Sequence, residues 1–331
     1  MIEVLTSSNG SYPRIGEHPD EQRLRRAYAQ LEIGAIAEGR YREIEDAIVA
    51  EVIAEQASTG LDIVTDGMVR WSDPISHTAR ALTGVTINGL LRYFDNNFYF
   101  RQPVVRDHIA RVRTVARSEY LFAARCTTRP VKSVLTGPYT LARASVIATS
   151  SYRGLGDLTA SYAAILADEV RDLVAAGALY VQIDEPAILH FPGDIALLAD
   201  ALDPIHAACG NSELLLATYF GDAGPLLERL EELPVDVLAL DLVTNPALLD
   251  RLAREGSRRR LALGMLDGRT TRMESATVLA PLAEAILAGP LPPGNHYLTT
   301  SCGLELLPRP YARRKLDVLD QLRRAVGGNR P

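Results

Sequence analysis

The stretch Leu179-Tyr180-Val181-Gln182-Ile183-Asp184-Glu185-Pro186 contains the pattern that decides the fold. An apolar run of strand length ends in two adjacent carboxylates, and a helix-length segment, residues 157–176, precedes it. Strands that are buried on both faces of a parallel sheet read as continuous apolar runs of this kind. We therefore expect a buried parallel strand whose carboxyl end carries a polar site.

The same alternation of strand and helix extends in both directions along the chain. Helical spacing of apolar residues recurs between most of the strand-like runs, for example over residues 42–58 and 195–208. Strand-like runs occur at residues 2–6, 62–66, 132–136, 179–183, 213–218, 235–240, 260–266 and 296–300. About eight such units close a parallel sheet into a (β/α)8 barrel. A doubly wound sheet is the main rival, and the lack of a GxGxxG or P-loop pattern after an early strand disfavours it.

The predicted fold is therefore of the α/β class, a single TIM barrel over residues 1–331, with an insertion around residues 84–106. In this insertion the segment Tyr93-Phe94-Asp95-Asn96-Asn97-Phe98-Tyr99-Phe100 is rich in aromatic and amide side chains. We expect a hairpin or flap there. It either covers one end of the barrel or offers a stacking surface for a flat ring.

Composition excludes several classes of function. The 331 residues carry a formal net charge of −6 without a basic run, so nucleic acid is not an expected partner. No apolar run approaches the roughly 20 residues that span a bilayer, and the first residues lack the pattern of a signal peptide. Three widely spaced cysteines favour reduced thiols over a disulfide framework. We expect a cytoplasmic protein that binds a small-molecule substrate, with a homo-oligomer or a partner protein left open.

Polar residues gather where the predicted strands end, at the rim that carries the chemistry of this fold. Asp184 and Glu185 are the strongest candidates, because two adjacent carboxylates after a buried strand need a partner or a ligand. A single Asp at such a place is as often a turn former or a helix cap, and Cys302 alone is more often a small buried hydrophobe. The other rim and flap candidates are Tyr12, Arg14, Asp66, His77, Asn97, Tyr99, Thr218, Tyr219, Asp241, Asp267, Arg269 and Ser301.

With these residues in view, the chain resembles the cobalamin-independent methionine synthase family over nearly its whole length. The most specific motif is Gln182-Ile183-Asp184-Glu185-Pro186-Ala187 on the predicted fourth strand. The resemblance also runs through residues 12–16, 94–99, 135–140, 216–222, 263–269 and 301–304. Enzymes of this family are duplicated (β/α)8 barrels, with single-barrel relatives, that transfer a methyl group from methyltetrahydrofolate to the thiol of homocysteine.

The resemblance implies a methyltransferase that acts on homocysteine or another small thiol. In this interpretation Asp184 and Glu185 orient the substrate or shuttle a proton. Cys302 and Asp241 line the acceptor site, and Arg14 with the flap holds a folate-like donor. Asp267 is a further catalytic candidate.

The zinc site of the family is only partly matched. Its catalytic barrel holds zinc with a His-x-Cys pair, a Glu and a Cys, and the corresponding positions here are Thr218, Phe220, Asp241 and Cys302. A catalytic zinc takes three protein ligands and an open position. Asp241 and Cys302 alone therefore imply weak zinc binding or none, unless a rim group such as His77 completes the set.

A second departure is Met68, which stands where the family has a Glu that is used on the amino acid substrate. These departures keep two alternatives open. One is a metal-free transferase or lyase on the same barrel, with Asp184 and Glu185 as acid–base groups. The other is a non-catalytic barrel that needs a partner chain.

Overall fold

Parallel strands dominate the structure, a computed structural model that describes residues 2–327. The strands are β1 (Ile2–Thr6), β2 (Leu82–Arg92), β3 (Tyr99–Arg111), β4 (Lys132–Thr136), β5 (Val146–Ile147), β6 (Tyr180–Asp184), β7 (Glu213–Thr218), β8 (Val237–Asp241), β9 (Arg260–Leu266) and β10 (Gly294–Thr300). The helices are α1 (Arg23–Glu32), α2 (Glu38–Ser58), α3 (Ser76–Ala79), α4 (Ala116–Arg125), α5 (Pro138–Ala144), α6 (Leu155–Ala175), α7 (Ile195–Cys209), α8 (Leu227–Leu230), α9 (Pro246–Glu255), α10 (Ala276–Leu287) and α11 (Arg309–Gly327).

The main sheet is a barrel that closes through a weak seam. Its seven strands run in the order β1, β10, β9, β8, β7, β6, β4, and all their pairings are parallel. Between β4 and β1, the extended segment around Ile63 and Val64 makes one parallel bridge on each side, to Ser7 and to Val131. This segment takes the place of the second barrel strand. The predicted (β/α)8 architecture is confirmed, and its second strand is reduced to two bridges.

A buried glutamine explains how this seam keeps its backbone hydrogen bonds. Gln56 of α2 is fully buried, and its side-chain amide accepts from the Thr65 N–H (3.1 Å) and donates to the Thr65 carbonyl (2.8 Å). The Ser8 hydroxyl also donates to the Gln56 oxygen (3.2 Å). Because buried backbone groups need partners, the glutamine side chain does here what a neighbouring strand does elsewhere in the barrel.

Side chains that alternate along each strand form two apolar cores, one inside the barrel and one between the barrel and its surrounding helices. In β7 and β8, Leu215 and Val237 point into the barrel, whereas Leu216 and Leu238 pack against the helices. Successive side chains of a strand point to opposite faces, so strands covered on both faces are apolar throughout. Within residues 2–327, no helix has the length and apolar character needed to cross a membrane.

The insertion is a hairpin, as predicted. Strands β2 and β3 pair antiparallel, and the short β5 adds a third strand to them. The turn is fixed by a hydrogen bond from the Tyr93 N–H to the Phe98 carbonyl (2.8 Å). This places the aromatic segment over the carboxyl ends of the barrel strands, where Tyr93 contacts Phe220 edge to face with ring centroids 6.2 Å apart.

Candidate active site

A cleft of about 850 Å³, open to solvent, lies at the carboxyl ends of the barrel strands beneath the flap. Four of the predicted site residues line it. They are Tyr12, Arg14, Asp184 and Tyr219. The rest of the lining comes from the loops after β1, after the seam segment, after β7 and after β10, together with the flap, and consists of Asn9, Ser11, Pro13, Ile15, Gly67, Met68, Trp71, Asp73, Pro74, Tyr93, Phe98, Phe220, Gly303 and Glu305.

Asp184 is held in one orientation at the floor of this cleft. Its Oδ1 accepts from the Gln182 amide (2.7 Å) and its Oδ2 accepts from the Tyr219 hydroxyl (2.9 Å). Gln182 is itself fixed by the Asn9 carbonyl (2.7 Å). Burial raises the pKa of Asp184 to about 6, although both hydrogen bonds and the nearby Lys132 oppose the rise. A carboxyl group of this kind is ionised in part of the molecules near neutral pH and can accept a proton.

Glu185 points away from the cleft, because adjacent side chains of a strand face opposite sides. It is fully buried, and its carboxylate accepts from the N–H groups of Tyr139 (2.9 Å) and Thr140 (2.8 Å) at the first turn of α5. The Thr140 hydroxyl donates to it as well (2.6 Å). Burial raises the pKa of Glu185 to about 7. These contacts suit a helix cap, so the acid–base role that we expected for Glu185 stays a prediction without support from its position.

A second carboxyl group in the cleft, Glu305, is one that the sequence reasoning missed. It follows β10, receives a hydrogen bond from the Ser11 hydroxyl, and lines the same cleft as Asp184. Burial raises its pKa to about 7, and the charge of Asp184 adds to the rise while that of Arg14 opposes it. The guanidinium of Arg14 donates to the carbonyls of Val69 (3.4 Å) and Ser72 (3.2 Å). The cleft therefore combines two carboxyl groups that titrate near neutrality with one fixed positive charge.

Aromatic side chains form the upper wall of the cleft. Phe94 of the flap lies 4.8 Å from the His190 ring in a stacked arrangement and 6.1 Å from Phe220. Within the described chain, the non-glycine residues with left-handed backbone are Met68 (φ 52°), Phe94 (φ 53°) and Phe220 (φ 64°), and all lie in or against this wall. Strained backbone of this kind concentrates at functional sites.

A separate polar cluster joins five predicted residues at the ends of β8, β9 and β10. Arg269 lies 3.9 Å from the Asp241 carboxylate and 3.3 Å from that of Asp267. The Ser301 hydroxyl accepts from the Gly268 N–H (3.2 Å) and lies 3.9 Å from the Cys302 sulfur. None of the five lines the cleft. Burial raises the pKa of the Cys302 thiol well above its ordinary value, with Glu305 and Asp241 adding to the rise.

The four positions that correspond to the family's zinc ligands do not fit the metal. Asp241 accepts from the Val243 and Thr244 N–H groups (3.0 Å each) and from the Thr244 hydroxyl (2.7 Å), so both of its oxygens serve its own loop. Thr218 offers a buried hydroxyl that has no hydrogen-bond partner among residues 2–327, and a hydroxyl is not a usual zinc ligand. Phe220 offers no donor atom. Across residues 2–327, no group of three His, Cys, Asp or Glu side chains is arranged to hold a metal ion.

Asp66 and His77 lie behind the cleft rather than in it. Trp71 lines the cleft and also two smaller neighbouring cavities, of which one is lined by His77 and the other by Asp66. The Trp71 ring stacks on His77 with centroids 4.7 Å apart, and both side chains contact Glu119, at 3.3 Å and 3.1 Å. Burial raises the pKa of Asp66 to about 6, and Glu119 adds to the rise. His77 is thus engaged by Glu119 and does not complete a zinc set.

The flap contributes different residues from those predicted. Asn97 and Tyr99 point to solvent, Tyr99 with 51% of its surface exposed. Tyr93 and Phe98 of the same segment line the cleft. The alternation of the strand that follows, in which exposed Tyr99 is succeeded by buried Phe100, is the signal that distinguishes the two faces.

Comparison with known proteins places this geometry in a family. Residues 11–324 match the family model described as the cobalamin-independent synthase, catalytic domain. The chain is 29% identical to a 5-methyltetrahydropteroyltriglutamate–homocysteine methyltransferase of Streptomyces coelicolor, covering 98% of this chain and 42% of that protein. It is 30% identical to a methionine synthase of Saccharolobus islandicus, covering 91% of this chain and 90% of that protein.

Solved structures share the fold. A B12-independent methionine synthase from a Shewanella species superposes with a TM-score of 0.80 at 21% identity, covering 98% of this chain and 97% of that one. The chain spans about two fifths of the length of its Streptomyces relatives and nearly the whole length of the archaeal ones. The family model covers almost all of the described residues. The chain therefore belongs to the cobalamin-independent methionine synthase family.

Proposed function

We propose that this chain is a methyltransferase that moves a methyl group from a donor of the methyltetrahydrofolate type to homocysteine or another small thiol. The observation that carries the proposal is the pair Asp184 and Glu305 in one aromatic-walled cleft at the barrel mouth. Family membership supplies the reaction class. Because the Streptomyces relatives are more than twice as long, the proposal relies on the side chains of this cleft rather than on those proteins' names.

The two carboxyl groups match the proton movements of such a transfer. The bond between sulfur and the methyl carbon forms while the bond between that carbon and the donor nitrogen breaks. The thiol loses a proton and the donor nitrogen gains one, so no proton is released overall. Asp184, with a pKa of about 6, accepts the thiol proton, and Glu305, with a pKa of about 7, donates one to the nitrogen. Acid–base catalysis is most effective when these pKa values lie near the working pH.

The remaining lining suits the donor. Trp71, Phe98 and Phe220 offer ring faces and edges to a flat pterin. Arg14 places a guanidinium at the same cleft, where it would attract the carboxylates of a folate tail. The candidates of the separate cluster, Asp241 and Cys302 among them, lie outside this cleft and would act on the acceptor only through neighbouring loops.

The proposed reaction proceeds without zinc, because the donor set is incomplete and Arg269 already places a positive charge beside Asp241. This same observation favours a second candidate function, a metal-free transfer to a nucleophile other than a thiol, with Asp184 as the base. We infer a cytoplasmic setting, which the unpaired cysteines favour.

The test is product formation by the isolated chain. Purified protein is incubated with methyltetrahydrofolate and homocysteine, cysteine or a panel of simple thiols, with a chelator or with added zinc, and methylated products are measured by mass spectrometry. We expect a methylated thiol at equal rates in both conditions. Absence of product with every thiol would refute thiol methylation, and a rate that depends on zinc would refute the metal-free reaction. Turnover by the isolated chain would also exclude a non-catalytic barrel that needs a partner.

A further inference from the structure

The flap holds one polar group over the cleft floor that has no partner in the described part of the chain. Tyr93 is 4% exposed and lines the cleft, and within residues 2–327 its hydroxyl has no well-aligned hydrogen-bond partner, because the neighbouring Tyr219 hydroxyl donates its own proton to Asp184 (2.9 Å). Buried hydroxyl groups in native proteins nearly always have a partner. A hydroxyl that lacks one at the wall of a cleft points to a group supplied by a ligand.

The ring of Tyr93 is fixed, which fixes the direction of the hydroxyl. Phe98, Phe100 and Phe220 surround the ring edge to face, with centroids 6.1, 6.0 and 6.2 Å away. Phe94 packs on it at 4.7 Å. Side chains locked in this way hold a hydrogen-bonding group in place before the substrate binds, and this preorganisation favours catalysis.

Ionisable groups from three elements of the barrel act on the hydroxyl. Asp184 at the end of β6, Tyr219 after β7 and Glu305 after β10 line the same cleft, whereas Glu185 points away from it and acts only through its charge. Burial raises the pKa of Tyr93 well above its ordinary value and Asp184 raises it further, while the Tyr219 hydroxyl opposes the rise. Tyr93 therefore keeps its proton at every working pH and acts as a hydrogen-bond donor, not as a base.

We infer that the Tyr93 hydroxyl donates a hydrogen bond to the sulfur of the bound acceptor while Asp184 takes the thiol proton. The inference rests on the proposed function, which assigns that proton to Asp184. A free thiol has a pKa of about 8.5 and Asp184 one of about 6, so the proton moves to the weaker base. A hydrogen bond to the thiolate makes this proton transfer less unfavourable. Such a bond matters here because Thr218 and Phe220 supply no ligands for a metal that could stabilise the thiolate instead.

The substitution Tyr93→Phe removes the hydroxyl and keeps the ring. With donor and thiol present, we expect kcat to fall roughly 10- to 100-fold, as for the loss of one hydrogen bond to a charged group, with little change in KM for the donor. Without the donor, the pKa of the bound thiol, followed by ultraviolet absorbance of the thiolate, should rise by roughly one to two units. Because the hydroxyl has no well-aligned partner in the described part of the chain, the variant should be at least as stable as the wild type in urea.

Tyr28→Phe is the matched control, since Tyr28 lies on α1 with 47% of its surface exposed and contacts Tyr41. It should leave both the rate and the titration unchanged. If the wild type methylates thiols and Tyr93→Phe gives the same rate and thiol titration, the inference fails while the proposed function stands. If no methyl transfer occurs but the bound thiol titrates differently in the two proteins, the function fails and the contact stands. A wild-type chain that binds no thiol contradicts both.

Discussion

Replacing Gly137 by alanine tests the packing of the Gln182–Pro186 segment against α5. A Cβ at Gly137 would lie 2.2 Å from Oε1, 2.3 Å from Cδ and 2.5 Å from Cγ of Glu185. Glu185 is fully buried and bonded to Tyr139 and Thr140, so its carboxylate has no free space to enter. The backbone of Gly137 is extended (φ −73°), so alanine is strained only by this contact.

The magnitude follows from two contributions. Overpacking a filled core costs about 1–3 kcal/mol, and displacing Glu185 weakens hydrogen bonds to a charged group that contribute about 1.5–3 kcal/mol. We expect Gly137→Ala to lower the free energy of unfolding by about 2.5–6 kcal/mol in urea denaturation, with an unchanged m-value. Gly193→Ala is the control, because nothing lies within 4 Å of its Cβ position. Equal unfolding free energies for the two variants would refute this account of the packing.

Three further predictions concern titration and metal. Asp184→Asn should lower the rate of methyl transfer roughly 10²- to 10⁴-fold. In the wild type, the plot of rate against pH should be bell-shaped, with limbs near pH 6 and pH 7 that belong to the pair Asp184 and Glu305. Glu305→Gln should remove the basic limb of this plot. A profile unchanged in both variants would contradict the assignment. Burial lowers the pKa of Lys132 to about 7 against the charges of Asp184 and Glu213, so between pH 7 and 9 the unfolded chain binds a proton that the folded chain does not. The free energy of unfolding should therefore rise with pH by up to roughly 1.4 kcal/mol per unit from this group, and urea titrations of Lys132→Met should show a flatter rise. Elemental analysis should find less than one zinc per chain, and a chelator should leave the melting temperature unchanged. One bound zinc per chain would contradict the conclusion that Thr218, Asp241 and Cys302 do not fit the metal.

The barrel could be predicted because its strands are covered on both faces. Residues 214–217 and 261–266 carry no charged or polar side chain, and they form the centres of β7 and β9. The weak seam could not be predicted, because Ile63 and Val64 are apolar like the residues of the other strands and their weak pairing depends on Gln56 from a different element. Helices α4 and α11 were not predicted either. The buried apolar side chains of α11 recur at helical spacing, at Ala312, Leu316, Leu319, Leu322 and Val326, so this helix was within reach of the same sequence argument.

The candidate site was predictable where a motif marks it. Asp184 follows a buried strand and lines the cleft, and the strand period of two explains why its neighbour Glu185 faces α5 instead. Glu305 has no such signal, since a single acidic residue in an apolar loop resembles a solvated one. Only closure of the barrel brings the loop after β10 to the same cleft as the end of β6. Likewise, the position of Trp71, which lines both the cleft and the smaller cavity that Asp66 lines, depends on packing and not on local sequence.

Because a glutamine side chain replaces strand pairing at the seam, the barrel should open locally more easily at the seam than between its other strands. Along most of the ring, detaching one strand breaks a ladder of backbone hydrogen bonds on both sides, whereas the segment at Ile63 and Val64 is held by two bridges, the Gln56 contacts and the hydrogen bonds between Asp62 and Thr6. Local opening requires the least free energy where the fewest buried bonds hold a segment. The amides of this segment should therefore exchange with solvent before those of β7 and β8. The loop that carries Met68 and Trp71 begins at this segment. One wall of the cleft can therefore move while the strands that hold Asp184 stay in place.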